Sequence, residues 1–341
     1  MSQQLARISL SDARTDSPLR SLKIHWQHTW CRLRLKLEMY NPTGSVKYRT
    51  AVGLLSSLDA TAPIGEGTRV IESTSGNLGV ALSAILSGMG AQFIAVVDPK
   101  LSPEMRSTMT GTGAQLISVD AQDNRGGYLQ SRLALVQQLR DRDADLRWTD
   151  QYNNPANPTV HREISAAELL EQSRRRIDAV FIAVSTGGTL AGISEGLRRA
   201  LPDVDVFAVD VFGSIVTSDI GRSHLLTGIG SSRKSAFLRP GHHDHSVRVN
   251  DFEAFAYCRL LAADTGLALG GSSGAVLAGF VRALRSGAGC EFPVAIMADG
   301  GDRYLSTLYD DAWLDSRGAL NDVIRAEKDA RDQGARFELE P

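Results

Sequence analysis

The sequence predicts an α/β protein of two α/β domains with twisted, mostly parallel sheets and a cleft between them. Three observations carry that expectation. From about residue 69 onward, short apolar and β-branched runs alternate with amphipathic stretches, which is the pattern that parallel α/β sheets produce. Each apolar run is continuous rather than alternating, as a strand buried on both faces requires. The runs end in loops rich in Gly, Ser, Thr and Asn, and ligands gather at such strand ends.

The elements follow in order. A turn-forming run, Asn41 to Lys47, leads into a helical pattern that begins near Tyr48. Strands are expected at RVIEST, QFIAVVD, QLISVD, DAVFIAVST, DVFAVDV and FPVAIMAD. Between them GNLGVALSAILSGMG, GGYLQSRLALVQQL, GGTLAGISEGLRRA and SSGAVLAGFVRALRSG repeat apolar residues at three- and four-residue spacing, the mark of an amphipathic helix. The polar, proline-containing stretch QYNNPANPT suggests a domain boundary near residue 160. That gives an N-terminal domain over 1–160 and a C-terminal domain over 161–325. The charge-rich residues 326–341 are expected to form a surface helix or frayed tail.

Composition limits the function classes. With 341 residues, 43% hydrophobic and 22% charged, the chain is long enough to divide its core between two domains. A formal net charge of -2 gives no electrostatic footprint for nucleic acid or an anionic membrane, so neither is expected as a partner. Cys31, Cys258 and Cys290 are odd in number and far apart, which suits buried packing in a reduced compartment. Met1 to Leu22 lacks the apolar core of a signal peptide, and no apolar run approaches membrane-spanning length. A soluble cytoplasmic protein is the expectation.

Four loops carry candidate chemistry. Lys47 follows a glycine turn at the start of a helix. Ser73 to Gly79, STSGNLG, sets hydroxyls and backbone N–H groups at a helix start, where a carboxylate can be held. Ser185-Thr186-Gly187-Gly188-Thr189 joins a strand to a helix in the arrangement that cradles a phosphate. No lysine follows its glycines as in a Walker loop, and GxGxxG is absent. Gly270 to Gly274 is a fourth glycine-rich loop ahead of a helix. Singly, each is also consistent with a surface charge or a helix cap.

Together and in this order they resemble the fold-type II pyridoxal-phosphate enzymes of the cysteine synthase and cystathionine β-synthase family, whose fold is like that of the tryptophan synthase β chain. The resemblance extends over KLEMYNPTGSVKYR, ESTSGNLGVAL, DQYNNPANP, VSTGGTLAG, TGIGSSR, GGSSGAV and ADGGDRYLSTLYDDAWL. It implies pyridoxal 5′-phosphate as cofactor, carried by Lys47 as a Schiff base, with Lys47 also shuttling the Cα proton. It further implies Asn77 on the 3′ oxygen, Ser185, Thr186, Gly187, Gly188 and Thr189 around the 5′-phosphate, and Ser272 facing the pyridine nitrogen. Thr74, Ser75 and Gln151 would grip the substrate α-carboxylate, and Gly228, in Gly228-Ile229-Gly230, would face the substrate amine. Two positions depart from the family pattern: Tyr48 stands where an acidic residue is usual, and Leu78 where a threonine is usual.

Within the family, VVDPKLSPEM, DNRGGYLQSR, TGIGSSR and DGGDRYLSTLYDDAWL are most similar to siderophore- and antibiotic-pathway synthases. Those join O-phospho-L-serine to the amine of L-glutamate, giving a precursor of 2,3-diaminopropionate. The likeness implies that Arg132, with Tyr152 and Ser185, recognises the phosphate leaving group, a task suited to the planar fork of arginine. Read alone, Arg132 is equally a solvated residue on a helix. Arg233 is a candidate contact for glutamate. Implied partners are amino-acid substrates, a second copy in a homodimer and a downstream pathway dehydrogenase. Rival readings are a cysteine synthase using O-acetylserine or O-phosphoserine and sulfide, an O-ureidoserine-type synthase, and a binding protein that keeps the fold without the activity. A metal site at GHHDH, residues 241–245, is not expected, because the stretch lacks helical two-ligand spacing.

Overall fold

The computed structural model describes residues 7–26, 29–123 and 127–340. The chain opens with β1 (Leu19–Trp26) and β2 (Thr29–Leu37), then α1 (Lys47–Thr61), β3 (Arg69–Ser73), α2 (Asn77–Gly88), β4 (Gln92–Val97), α3 (Pro103–Gly111), β5 (Gln115–Ser118), α4 (Leu129–Arg142) and β6 (Arg147–Trp148). It continues with α5 (Ala156–Val160), α6 (Ala166–Gln172), β7 (Ala179–Ala183), α7 (Gly188–Arg198), β8 (Asp205–Val211) and β9 (His245–Val249). The last elements are α8 (Asp251–Thr265), α9 (Gly271–Arg285), β10 (Pro293–Met297), α10 (Asp311–Ser316), α11 (Leu320–Asp332) and β11 (Arg336–Leu339).

Two sheets result. The smaller has the order β5-β4-β3-β6 and is parallel throughout; the larger runs β11-β1-β2-β10-β7-β8-β9. In the larger sheet β2 to β9 pair in parallel, and antiparallel pairing is confined to β1 with β2 and β11. The sheets are thus mostly parallel, and all six strands expected from the apolar runs form. The apolar residues of the inner strands are mostly buried, those of the edge strand β5 half-buried, and Phe181 stacks on Phe207 at 4.2 Å and meets Phe280 edge-on at 5.2 Å.

The sheets divide the chain differently from a cut near residue 160. β1 and β2 lie in the larger sheet, where Val294–Met297 of β10 pairs with Arg34–Leu37 of β2. The physical reason is the antiparallel pairing: β1 and β2 bury Leu22, Ile24, Leu33 and Leu35 on one face, while Arg, Lys and His occupy much of the other. Residues 326–340 are not frayed: helix α11 runs on to Asp332, and β11 adds a strand to β1 through Ile24↔Phe337.

The start of α1 is anchored from behind by a closed cluster of buried charges. Arg49 of α1 donates to both oxygens of Glu38 (2.8 and 3.2 Å) and of Glu168 (3.0 and 2.8 Å). It also donates to the Ala13 carbonyl at 3.0 Å and Ser17 Oγ at 2.9 Å. Lys36 of β2 completes the set by donating to Glu168 and to the Ser17 carbonyl. Lys47, two residues before Arg49, is thereby held at one place.

Candidate active site

The carboxyl ends of strands from both sheets meet at one cavity of about 230 Å³. Loops after β3, β6, β7 and β10 contribute Thr74 and Ser75, Gln151 and Tyr152, Ser185 and Thr186, and Ala298. Lys47 projects into it from the first residue of α1. The Val46 N–H donates to the Ala298 carbonyl at 2.8 Å, which ties the lysine to the end of β10. Loss of hydration lowers the Lys47 pKa below the ordinary lysine value, and the Asp299 carboxylate opposes that shift. The amine is biased toward the neutral form that a nucleophile requires.

One wall is a polar network. Thr74 Oγ1 accepts from the Gly79 N–H at 3.1 Å. Ser75 Oγ accepts from the Asp98 N–H at 2.9 Å and from Arg132 Nη1 at 3.2 Å. Arg132 comes from α4, is only 9% exposed, and sets its Nε 3.2 Å from Asp98 Oδ2. It is therefore a cleft residue and not a solvated one. Burial raises the Tyr152 pKa, and the adjacent Arg132 cation works the other way. Gln151 Nε2 donates to the Ser73 carbonyl at 2.9 Å, and its backbone N–H to Glu72 Oε2 at 3.1 Å. Glu72 also accepts from the Ser73 N–H at 2.7 Å, so one buried carboxylate joins the loops that follow β3 and β6. Burial pushes its pKa up to about 7, against the hydrogen bonds from Thr149, Gln151 and Ser73.

The opposite wall is the 185–189 loop. Gly187 adopts φ +89°, and a Cβ there would stand 2.2 Å from Ser235 Oγ; at Gly188 it would stand 2.1 Å from Asn157 Oδ1. The backbone thus turns tightly into α7 and bares its first N–H groups. Ser185 Oγ donates to the Gly230 carbonyl at 2.9 Å. Thr186 Oγ1 accepts from Asn157 Nδ2 at 3.4 Å, and Thr189 Oγ1 lies 3.2 Å from His161 Nε2. Burial, then the Lys47 and Arg49 charges, hold the His161 pKa well below its ordinary value, so the ring is neutral. Gly228 lines the same cavity at φ +77°.

Between the walls, Asn77 opens α2 with its amide fixed at both ends. Arg303 donates to its Oδ1, and its Nδ2 donates to Asp299 Oδ2 at 2.6 Å. A guanidinium can only donate and a carboxylate only accept, so the amide orientation is determined and a second N–H remains. Ser272, second residue of α9, lines the cavity and is 4% exposed.

Lys47, Thr74, Ser75, Asn77, Arg132, Gln151, Tyr152, Ser185, Thr186, Gly228 and Ser272 line this cleft, Gly187 and Thr189 line a small pocket beside it, and Gly188 lies behind that pocket against Asn157. Arg233 is the exception among the wider candidates. Its Nη2 donates to Asn153 Oδ1 at 2.7 Å and its guanidinium lies 6.0 Å from the Tyr152 ring centroid. It does not line the cavity. Of the two departures, Leu78 lines the cleft, whereas Tyr48 packs with Ala13, Val52 and Val160. In the GHHDH stretch His242 Nε2 faces Glu195 Oε1 at 3.1 Å, and His245 stacks on Phe207. Asn124 to Gly126 of the DNRGGYLQSR run lie outside the described residues. Asp98, Asp299, Asn157 and His161 carried no expectation. For Asp98 and Asp299 a signal existed: they lie one and two residues past the end of a parallel strand, where ligand-handling groups collect.

A model of the pyridoxal-phosphate dependent enzymes matches residues 10–292. The chain belongs to that family. It is 38% identical over 309 residues to an N-(2-amino-2-carboxyethyl)-L-glutamate synthase of Cupriavidus metallidurans, covering 90% of this chain and 91% of that one. It is 37% identical to the synthase of the same name from Ralstonia nicotianae, covering 90% of each. Among solved structures, an O-ureido-L-serine synthase superposes with a TM-score of 0.78 at 28% identity, covering 90% of this chain and 98% of that one. The family cofactor is pyridoxal 5′-phosphate, and the residues present fit it. A second small pocket of about 20 Å³ is lined by Lys47, Ser185, Thr186, Gly187 and Thr189, beside a loop whose glycines cannot carry a Cβ without colliding with Ser235 or Asn157.

Proposed function

We propose that this enzyme performs a β-replacement that joins O-phospho-L-serine to L-glutamate, giving N-(2-amino-2-carboxyethyl)-L-glutamate and phosphate. The observation that carries the reading is Arg132, a mostly buried arginine facing the cleft between Ser75 and Asp98. A leaving group that departs as phosphate calls for such a fork of donors. The two synthases 37–38% identical over nine-tenths of the chain support the same reaction.

The roles divide by wall. Lys47 would hold the cofactor and would take and return the substrate's Cα proton. Thr186, Gly187, Gly188 and Thr189 hold the 5′-phosphate, Asn77 turns its remaining N–H to the 3′ oxygen, and Ser272 offers the ring nitrogen a neutral hydroxyl. Thr74, Ser75 and Gln151 hold the substrate α-carboxylate, and Gly228 faces its amine. Arg132, Tyr152 and Ser185 orient the donor's phosphate. The bound cofactor supplies the electron sink for charge left at Cα. The C–O bond to phosphate then breaks, a C–N bond forms at the same carbon, and the incoming amine gives up a proton. A homodimer, a cytoplasmic setting and a dehydrogenase that consumes the product complete the proposal; no helix among the described residues is long and apolar enough to cross a membrane.

Product analysis tests it. The purified enzyme is given O-phospho-L-serine or O-acetyl-L-serine with L-glutamate, sulfide or hydroxyurea, with Lys47→Ala as the colourless, inactive control. The phosphoserine and glutamate pair should turn over most efficiently. Preferred turnover of acetylserine with sulfide would make the protein a cysteine synthase, and with hydroxyurea an O-ureidoserine-type synthase.

A further inference from the structure

A second chamber of about 480 Å³ adjoins the donor cavity, within the roughly 300–1,000 Å³ typical of small-molecule sites. The two share ten residues, Ser75, Asn77, Lys100, Tyr128, His224 and Gly228 among them, so a molecule in the chamber borders the reacting centre and Lys100 stands between the two spaces. Its apolar surface comes from Met105, Leu226, Phe255, Leu308 and Trp313. Its charged residues are Lys100 and Arg317, and no Asp or Glu lines it.

We propose that this chamber is the acceptor site, and that Lys100 and Arg317 recognise the carboxylates of an anionic amino-acid acceptor. The inference rests on the β-replacement reading above and deepens it. Charge balance is the argument. Among the described residues, Lys100 Nζ makes one long contact of 3.4 Å, to the His224 carbonyl, and the Arg317 guanidinium lies 5.6 Å from the Trp313 ring centroid. Neither forms an ion pair with a carboxylate among the described residues. Of the carboxylates on neighbouring elements, Asp98 is paired with Arg132, Asp251 accepts from the N–H groups of Leu225 and Leu226, and Glu104 accepts from Ser306 with one oxygen; none of them lines the chamber. His224 adds no charge, because burial and the neighbouring Lys100 lower its pKa, and its Nδ1–H donates to the Leu226 carbonyl at 2.8 Å. Two uncompensated cations over an apolar floor suit a short chain with acidic ends, and the floor takes its methylenes.

The decisive experiment is steady-state kinetics of the holoenzyme, wild type beside Lys100→Gln and Arg317→Gln, with L-glutamate or L-glutamine as acceptor. Each substitution should raise the ratio of KM for glutamate to KM for phosphoserine roughly two- to fivefold, as for solvent-reachable charge pairs. The preference for glutamate over its γ-amide should shrink in at least one of them. Glutamate turnover with that ratio and that preference unchanged in both variants overturns this inference while leaving the proposed reaction intact. A wild type that ignores glutamate and consumes sulfide overturns both.

Discussion

Two buried arginines lie on either side of Lys47, and they are used in opposite ways. Arg49, behind it, is fully enclosed and spends its donors on Glu38, Glu168, Ser17 and the Ala13 carbonyl. Arg132, in front of it, has Asp98 and Ser75 as partners and faces a cavity. A saturated charge is scaffold, since nothing remains for a ligand to satisfy; an unsaturated one beside a cleft is a binding group. The carboxylates repeat the contrast. Burial pushes Glu168 up, but Arg49 and Lys36 outweigh it and bring its pKa down to about 2. Glu72 has hydrogen-bond donors but no cation among those partners, and it stays near 7.

The contrast breaks if the two arginines behave alike in stability. Arg49→Ala leaves Glu38 and Glu168 buried with less compensating charge, and should cost about 3–5 kcal/mol in urea unfolding. Arg132→Ala strands a single carboxylate, Asp98, which keeps a backbone N–H donor and borders the cleft, and should cost less, about 1–2 kcal/mol. Equal losses would mean that Arg132 is structural.

Glu72 sharpens the comparison with a smaller effect. Its folded pKa, about 7, lies above the ordinary 4.5, so the folded state holds this proton more tightly than the unfolded state. Its contribution is fully present below about 4.5 and is lost as pH rises through about 7. Wild-type stability should carry a falling component in that window of at most about 1.4 kcal/mol per pH unit. Glu72→Gln should lack it; parallel unfolding curves for the two proteins from pH 5 to 8 would contradict the assignment.

How much was legible beforehand depended on the range of the interactions. β3, β4, β7, β8 and β10 announce themselves because a strand covered on both faces must be largely apolar, and the half-buried edge strand β5 by its Leu116-Ile117 pair. β1 and β2 did not, since TWCRLRLKL reads as a basic stretch until its pairing with LRSLKIHW puts Leu33 and Leu35 inward. β9 and β11 are short and mostly unburied, so they carry little pattern. In the site, the glycine and hydroxyl loops were visible because their chemistry is local. Asp299 on Asn77, Asp98 on Arg132 and Glu72 across two loops are contacts between distant segments, and no spacing encodes them.

The central claim, that Arg132 reads a phosphate leaving group, is tested most directly by the kcat/KM values for O-phospho-L-serine and O-acetyl-L-serine in wild type and Arg132→Ala. Loss of a charge-assisted contact of about 1.5–3 kcal/mol should lower phosphoserine use roughly ten- to a hundredfold. Acetylserine presents no anionic leaving group and should be little affected, so the ratio of the two constants should collapse. A wild type that prefers acetylserine, or a variant that loses both donors equally, would contradict the account.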